Sequence, residues 1–272
     1  MVIQLRNSRI RLSQGQMFWR EVGRGTALVF LHGTYADSNQ WLPAIEHLAQ
    51  EYHCFAPDLL GFGESERPEV HYSINWQVES LAEYLDALHL PQIILIGHSL
   101  GGWIAASYAL KYPDRVSGLV LLAAEGVEVT NQKWYWQRWL IARLPKGFWL
   151  LPILSPVAKI FAKKAQLGRW FAYYQQILRS PVGYELLFRR HRQEIQAELL
   201  QERLPELPTP ILVLQAEKDR PQSIARSQIY AKLASNANLE MIPRAGSNFV
   251  ESYSAIVAEL ISQFIKEKIF SP

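Results

Sequence analysis

The stretch QIILIGHSLGGWIAASYALKYP, from Gln92 to Pro113, constrains the fold more tightly than any other part of the chain. Its first half has the continuous apolar character of a strand buried on both faces, and its second half has helical spacing until Pro113 stops it. A strand that turns directly into a helix belongs in a mostly parallel sheet with helices packed on it. Between the two lies Gly97-His98-Ser99-Leu100-Gly101. Glycines on either side of Ser99 allow a turn too crowded for larger neighbours, and the turn projects the hydroxyl beside a helix N-terminus. Free amides at that terminus favour developing negative charge, so Ser99 is a candidate nucleophile.

The same alternation recurs along the chain. ALVFLHG, YHCFAPD, VSGLVLLAAE, PILVLQAEKD and NLEMIP read as further strands. WLPAIEHLAQ, INWQVESLAEYLDALHL, SIARSQIYAKLA and SAIVAELISQFIKEKI read as helices. In the second of these, Ile74, Val78, Leu81, Leu85 and Leu88 share one stripe. Near the start, RIRLS and QMFWREVG read as an antiparallel pair leading into the sheet. The expected class is α/β, a mostly parallel twisted sheet flanked by helices. A chain of 272 residues suits one large domain with room for an insertion. Cys54 is the only cysteine, which excludes an internal disulfide and fits a reducing compartment.

From residue 130 to residue 208 the buried-strand signal stops and the sequence turns helical, aromatic and basic. The expected organisation is a core of 1–129 and 209–272, with 130–208 inserted as a helical cap. Such a cap would roof the carboxyl ends of the strands, where open α/β sheets bind ligands. Between Asn131 and Leu204, thirteen Lys and Arg accompany four Glu, a local balance of +9 in a chain of net charge +3. Five of the nine tryptophans lie there. Trp134 and Trp139 are expected to line an apolar pocket for a small hydrophobic substrate or ligand. Interleaved Trp, Lys and Arg also suit peripheral contact with an anionic membrane, whereas no motif for nucleic acid accompanies the charge. The most apolar segment, GFWLLPILSPVAKIF, is broken by Pro152, Pro156 and Lys159, and the first residues form no apolar leader. A cytoplasmic protein, at most peripherally attached to a membrane, is expected. No metal ion and no cofactor are expected.

These motifs resemble those of the α/β-hydrolase fold superfamily, over nearly the whole chain. FLHGTYADSNQW is similar to that superfamily's segment after the third strand, where a His-Gly pair precedes a residue whose amide helps form an oxyanion hole. The resemblance places that amide on Thr34, with Leu100 as second donor and His32 and Gly33 beside the substrate. APDLLGFGESERP looks like the loop after the next strand, and ILVLQAEKDR looks like the segment carrying the triad acid, which falls on Asp219. Glu217 stands two residues earlier than the pattern requires. Serine as nucleophile speaks against epoxide-hydrolase or haloalkane-dehalogenase chemistry, which resembles the same scaffold but uses aspartate.

One position departs from the pattern. The family's histidine follows the last strand, typically in a Gly-His pair, but the chain reads Arg244-Ala245-Gly246-Ser247 and has no histidine after His191. A serine hydroxyl needs a neighbouring base at neutral pH, and neither Ser247 nor Asn248 can supply one. His191, between two arginines, and His32 are the candidate substitutes. His98 adjoins Ser99 in sequence, but the elbow is expected to turn its side chain away. Two functions follow: a serine hydrolase or esterase-like enzyme for an apolar ester or acyl substrate, or a non-catalytic relative binding a hydrophobic ligand or protein partner.

Overall fold

The computed structural model describes residues 4–129 and 180–270. An antiparallel hairpin, β1 (Arg6–Leu12) and β2 (Gly15–Gly23), enters the sheet, pairing Leu12 with Gly15 at its turn. Then follow β3 (Ala27–Leu31), α1 (Leu42–Leu48), β4 (His53–Pro57), α2 (Ile74–Ala87), β5 (Ile93–His98), α3 (Leu100–Lys111) and β6 (Val116–Leu122). After residue 179 come two short helices, α4 (Pro181–Tyr184) and α5 (Arg192–Ala197). The core resumes with β7 (Ile211–Ala216), α6 (Pro221–Leu233), β8 (Ala237–Ile242), α7 (Phe249–Ser252) and α8 (Ser254–Lys268).

Among the described residues, eight strands form one sheet in the order β1-β2-β4-β3-β5-β6-β7-β8. Only the β1–β2 and β2–β4 pairs are antiparallel; the rest are parallel. The expected class is thus the observed one. Period-two alternation divides each central strand between two cores. Val29, Leu31 and Leu95 face α2 and α3, while Leu28, Phe30, Ile94 and Ile96 face α1 and α8. In α2 the stripe of Ile74, Val78, Leu81 and Leu85 is buried, and its cap is Ser73, whose side chain accepts from the Trp76 amide.

Chain order reverses between β3 and β5: from β3 the chain moves outward to β4, then returns to place β5 on the other side of β3. A crevice opens where adjacent connections leave in opposite directions, beyond the strands' carboxyl ends. Those ends are Leu31 and His98, so the topology itself puts His32, Gly33, Thr34 and Ser99 at one crevice. Among the described residues, no helix is long and apolar enough to cross a membrane.

Candidate active site

Ser99 occupies the turn between β5 and α3 with φ 52° and ψ −112°, a conformation unfavourable for a residue with a Cβ. Surrounding contacts hold it there. The Ser99 amide donates to the Leu122 carbonyl at 2.9 Å, and its own carbonyl accepts from Trp103 and Glu125. The close approach explains the glycines. A Cβ at Gly97 would sit 2.4 Å from the Gly101 carbonyl oxygen, and one at Gly101 would sit 2.3 Å from that of Leu31.

A pocket of about 290 Å³ opens at this turn, and Thr34, Ser99, Asp219 and Ser247 all line it. The sheet therefore gathers residues separated by more than half the chain. Leu100 begins α3, so its amide has no partner within the helix. Thr34 is buried, its Oγ1 lacks a partner among the described residues, and its carbonyl accepts from Ser180 Oγ. Asp219 lies just past β7 as the sequence implies, whereas Glu217 turns to accept from the Arg244 amide at 2.8 Å.

Ser247 Oγ donates to Asp219 Oδ1 at 2.6 Å. Asp219 also accepts from the Arg220 amide at 2.7 Å and from Gln215 Nε2 at 3.1 Å. Partial burial works to raise its carboxyl, but the hydrogen bonds, that of Ser247 foremost, outweigh it and hold the group below the usual carboxylate range. Asp219 is thus an oriented anion facing the residue that stands where a base would be expected.

Neither substitute base is placed to act. His32 is fully buried, with Nδ1 against the Gly33 carbonyl at 2.9 Å and Nε2 accepting from the Leu59 amide at 3.1 Å. Both nitrogens are occupied in tying the Gly33 segment to the loop after β4, which Asp58 braces by accepting from the Ser38 and Glu64 amides. His191 is exposed at the start of α5. Trp134 and Trp139 lie outside the described residues, as does most of the expected cap. The described lining sets Gln40, Glu125, Arg226 and Glu251 beside Leu187 and Ala36.

His98 is also among the pocket residues, and its ring turns toward Gln40 and Phe249. Alternation along β5 gives the reason: His98 shares a face with Ile94 and Ile96, the face covered by α1 and α8 and approached by the loop carrying Ser247. There it meets Phe249 edge-on and Gln40 Oε1 at 3.2 Å from Nδ1. Gln40, Glu125, Arg226 and Glu251 escaped the sequence reading because no local pattern marks them. Arg226 holds Glu125 across 2.7 Å, from α6 to the segment after β6.

Burial pushes the His98 imidazole down from 6.5 to about 4, against the opposing pull of Asp219, and burial lowers His32 as well. Each ring stays neutral in the fold at a pH where the unfolded chain would protonate it. Stability from this source is full above about pH 6.5 and is lost as pH falls toward about 4, because the unfolded state then binds more protons. The depressed Asp219 carboxyl acts in the same direction at lower pH. Urea unfolding at about pH 7 and about pH 4.5 should show a falling midpoint, and His98→Gln should flatten the fall. An equally steep fall in that variant would remove His98 as a contributor.

A family model for the alpha/beta hydrolase fold matches residues 26–252. The chain belongs to that family. Among curated relatives of the chain, 1-acylglycerol-3-phosphate O-acyltransferase ABHD5 of Mus musculus is 40% identical over 126 residues. That alignment covers 43% of this chain and 36% of the mouse protein, so the likeness spans little more than a third of that relative's length. Two solved alpha/beta hydrolase structures align along almost the whole chain. One is a membrane phospholipase A, a bacterial virulence factor, with TM-score 0.77, 23% identity and coverage of 98% of this chain and 87% of that one. The other is a serine hydrolase from the polyaromatic hydrocarbon-degrading bacterium Cycloclasticus zankles, with TM-score 0.77, 21% identity and coverage of 98% and 100%. At such identities these two establish the shared fold alone.

Proposed function

We propose that this alpha/beta hydrolase is an esterase-like acyl-transfer protein in which Ser99 attacks the carbonyl carbon of an apolar ester or acyl substrate. The observation that carries this reading is the Ser247–Asp219 hydrogen bond of 2.6 Å inside the pocket that Ser99 also lines. It supports the reading by giving an oriented carboxylate in the same pocket as a strained serine at a helix start. The amides of Thr34 and Leu100 form the oxyanion hole, since donors fixed where charge develops supply a large part of acyl-transfer catalysis. An acyltransferase among the relatives favours an acyl lipid as substrate class. The basic, Trp-rich insertion favours delivery from an anionic membrane surface.

Ser247 itself favours a second reading, a ligand-binding relative that does not turn over. Incubation with a p-nitrophenyl ester of a long-chain fatty acid, followed by intact-mass measurement and peptide mapping, separates the two. The enzymatic reading expects an acyl adduct on Ser99 that disappears in Ser99→Ala. Saturable binding of the ester with no adduct, in the unmodified chain and in Ser247→His alike, would establish the binding-protein reading instead.

A further inference from the structure

Gln215 is out of character with its strand. Every residue of β7, ILVLQA, is buried, and Gln215 is the one side chain among them with a polar end. It has no exposed surface, and a buried amide is costly unless its hydrogen-bonding capacity is met. Alternation puts it on the face of Ile211 and Val213, which α6 covers. On that helix Ser223 and Ser227 stand four residues apart and so share one side. Ser227 Oγ donates to Gln215 Oε1 at 2.7 Å, and Ser223 Oγ donates to the same oxygen at 3.3 Å. At the other end of the amide, Nε2 donates to the Ala216 carbonyl and to Asp219 Oδ2, both at 3.1 Å. A carbonyl and an ionised carboxylate only accept, so the amide can point only one way. Reversed, it would set Oε1 against both of them.

The donors divide the carboxylate between them. Oδ2 is held by Gln215, while Oδ1 accepts from the Arg220 amide at 2.7 Å and from Ser247 Oγ at 2.6 Å. From this geometry we propose that Gln215 is the positioning residue of the candidate acid: anchored to α6 by Ser223 and Ser227, it grips Oδ2 and turns Oδ1 toward residue 247. The proposal rests on the reading of Asp219 as the acid that serves Ser99. It accounts for a polar side chain in a strand whose burial favours an apolar one. It also makes α6, and not only the loop after β7, the support of the carboxylate. A base at position 247 would take its orientation from Oδ1, and that oxygen stays in place only while Oδ2 is held. Misplacements well under the length of a bond are already costly in catalysis, so such a hold belongs behind the acid.

Two measurements test it. The first is the carboxyl titration of Asp219, followed by NMR in protein carrying a carbon label on its aspartates, which needs no turnover. Among the described residues, Arg220, Arg226, Glu125, His98 and Glu251 are the charged and titratable groups that share the pocket with Asp219, and they are the same in every chain compared. Gln215→Met should raise the Asp219 midpoint by about one pH unit. Gln215→Glu, which sets a second carboxyl against Oδ2, should raise it further. Ser227→Ala loosens the anchor and leaves Gln215 in place, so it should give a smaller rise; it also carries the test if the changes at 215 unfold the chain. A glutamine that merely ties β7 to α6 would change the urea midpoint of these variants and leave the titration where it is. The second measurement is kcat/KM for a p-nitrophenyl ester in a Ser247→His background, where Gln215→Met should cost about tenfold, mostly in kcat. An Asp219 midpoint that does not move in any variant that folds overturns the proposal. So does an undiminished kcat/KM for Gln215→Met in an active Ser247→His chain. If Ser247→His hydrolyses no ester with Gln215 intact, the reading of Ser99 falls, and the proposal falls with it.

Discussion

Ser247→His should raise the rate of Ser99-dependent ester hydrolysis by roughly 10³- to 10⁴-fold, at the lower end of what removing a triad member costs elsewhere. The frame for the imidazole is already present. Ser247 reaches Asp219 Oδ1 at 2.6 Å, so a ring grown from the same Cα can donate Nδ1–H to that carboxylate and point Nε2 into the pocket that Ser99 lines. Asp219 would hold the tautomer and stabilise the imidazolium, as the triad requires. It is well prepared, because hydrogen bonds from Gln215 and the Arg220 amide fix its orientation independently of Ser247. The estimate stays at the lower end because the loop was not shaped around a ring, and small misplacements are costly in catalysis. Measurement is of kcat/KM on p-nitrophenyl esters of increasing chain length, with Ser247→His/Ser99→Ala as control. A gain under about tenfold, or one that survives the loss of Ser99, would mean that the loop does not present a base to this serine. Ser247→Ala makes a useful companion. It removes the strongest bond holding the Asp219 carboxyl down, so that group should move back up toward its usual range.

How much of this could be read from sequence follows from the range of each contact. β3, β5 and β6 are fully apolar runs, and being buried on both faces they declare themselves without any partner in view. The elbow is legible for the same reason, since its glycines answer to neighbours a few residues away and to one adjacent strand. Asp219 and Ser247 are legible only through position after a strand, a rule of topology that the parallel sheet then obeys. Gln40 is different. Its partners Gly33, His98 and Glu251 span separations from 7 to 211 residues, and no spacing in SNQW signals them. Strand alternation, carried through from Ile94 and Ile96, assigns His98 to the face covered by α1 and α8. The aromatic lining expected from Trp134 and Trp139 belongs to residues outside those described.

Glu198→Ala should destabilise the fold by about 3–5 kcal/mol, because it leaves a buried guanidinium without its counterion. The Arg190 side chain is only 1% exposed and Glu198 18%, and the two form an ion pair in the segment that leads into β7. Arg190 Nε also donates to the Leu186 carbonyl at 3.1 Å, while Nη2 has no partner among the described residues, so the carboxylate carries most of the compensation. Glu198 does further work: Oε1 accepts from the Asn75 amide on α2 at 3.2 Å, and its carbonyl accepts from Trp103 Nε1 on α3 at 3.1 Å. A buried pair is costly to break from one side but can be nearly neutral to replace from both. Arg190→Met/Glu198→Leu should therefore recover most of the loss, and urea denaturation of the single and double variants provides the comparison. A single-variant loss below about 1 kcal/mol would show that water reaches the pair and screens it. The consequence extends to the site, because Leu187, next to the carbonyl that Arg190 holds, is part of the pocket wall. In the same segment the Ser180 hydroxyl donates to the Thr34 carbonyl and so fixes the peptide preceding Tyr35. On the esterase reading proposed above, loosening this segment should raise KM more than it lowers kcat, since it disturbs the pocket wall and not the serine turn, which is locked separately by β6 and α3.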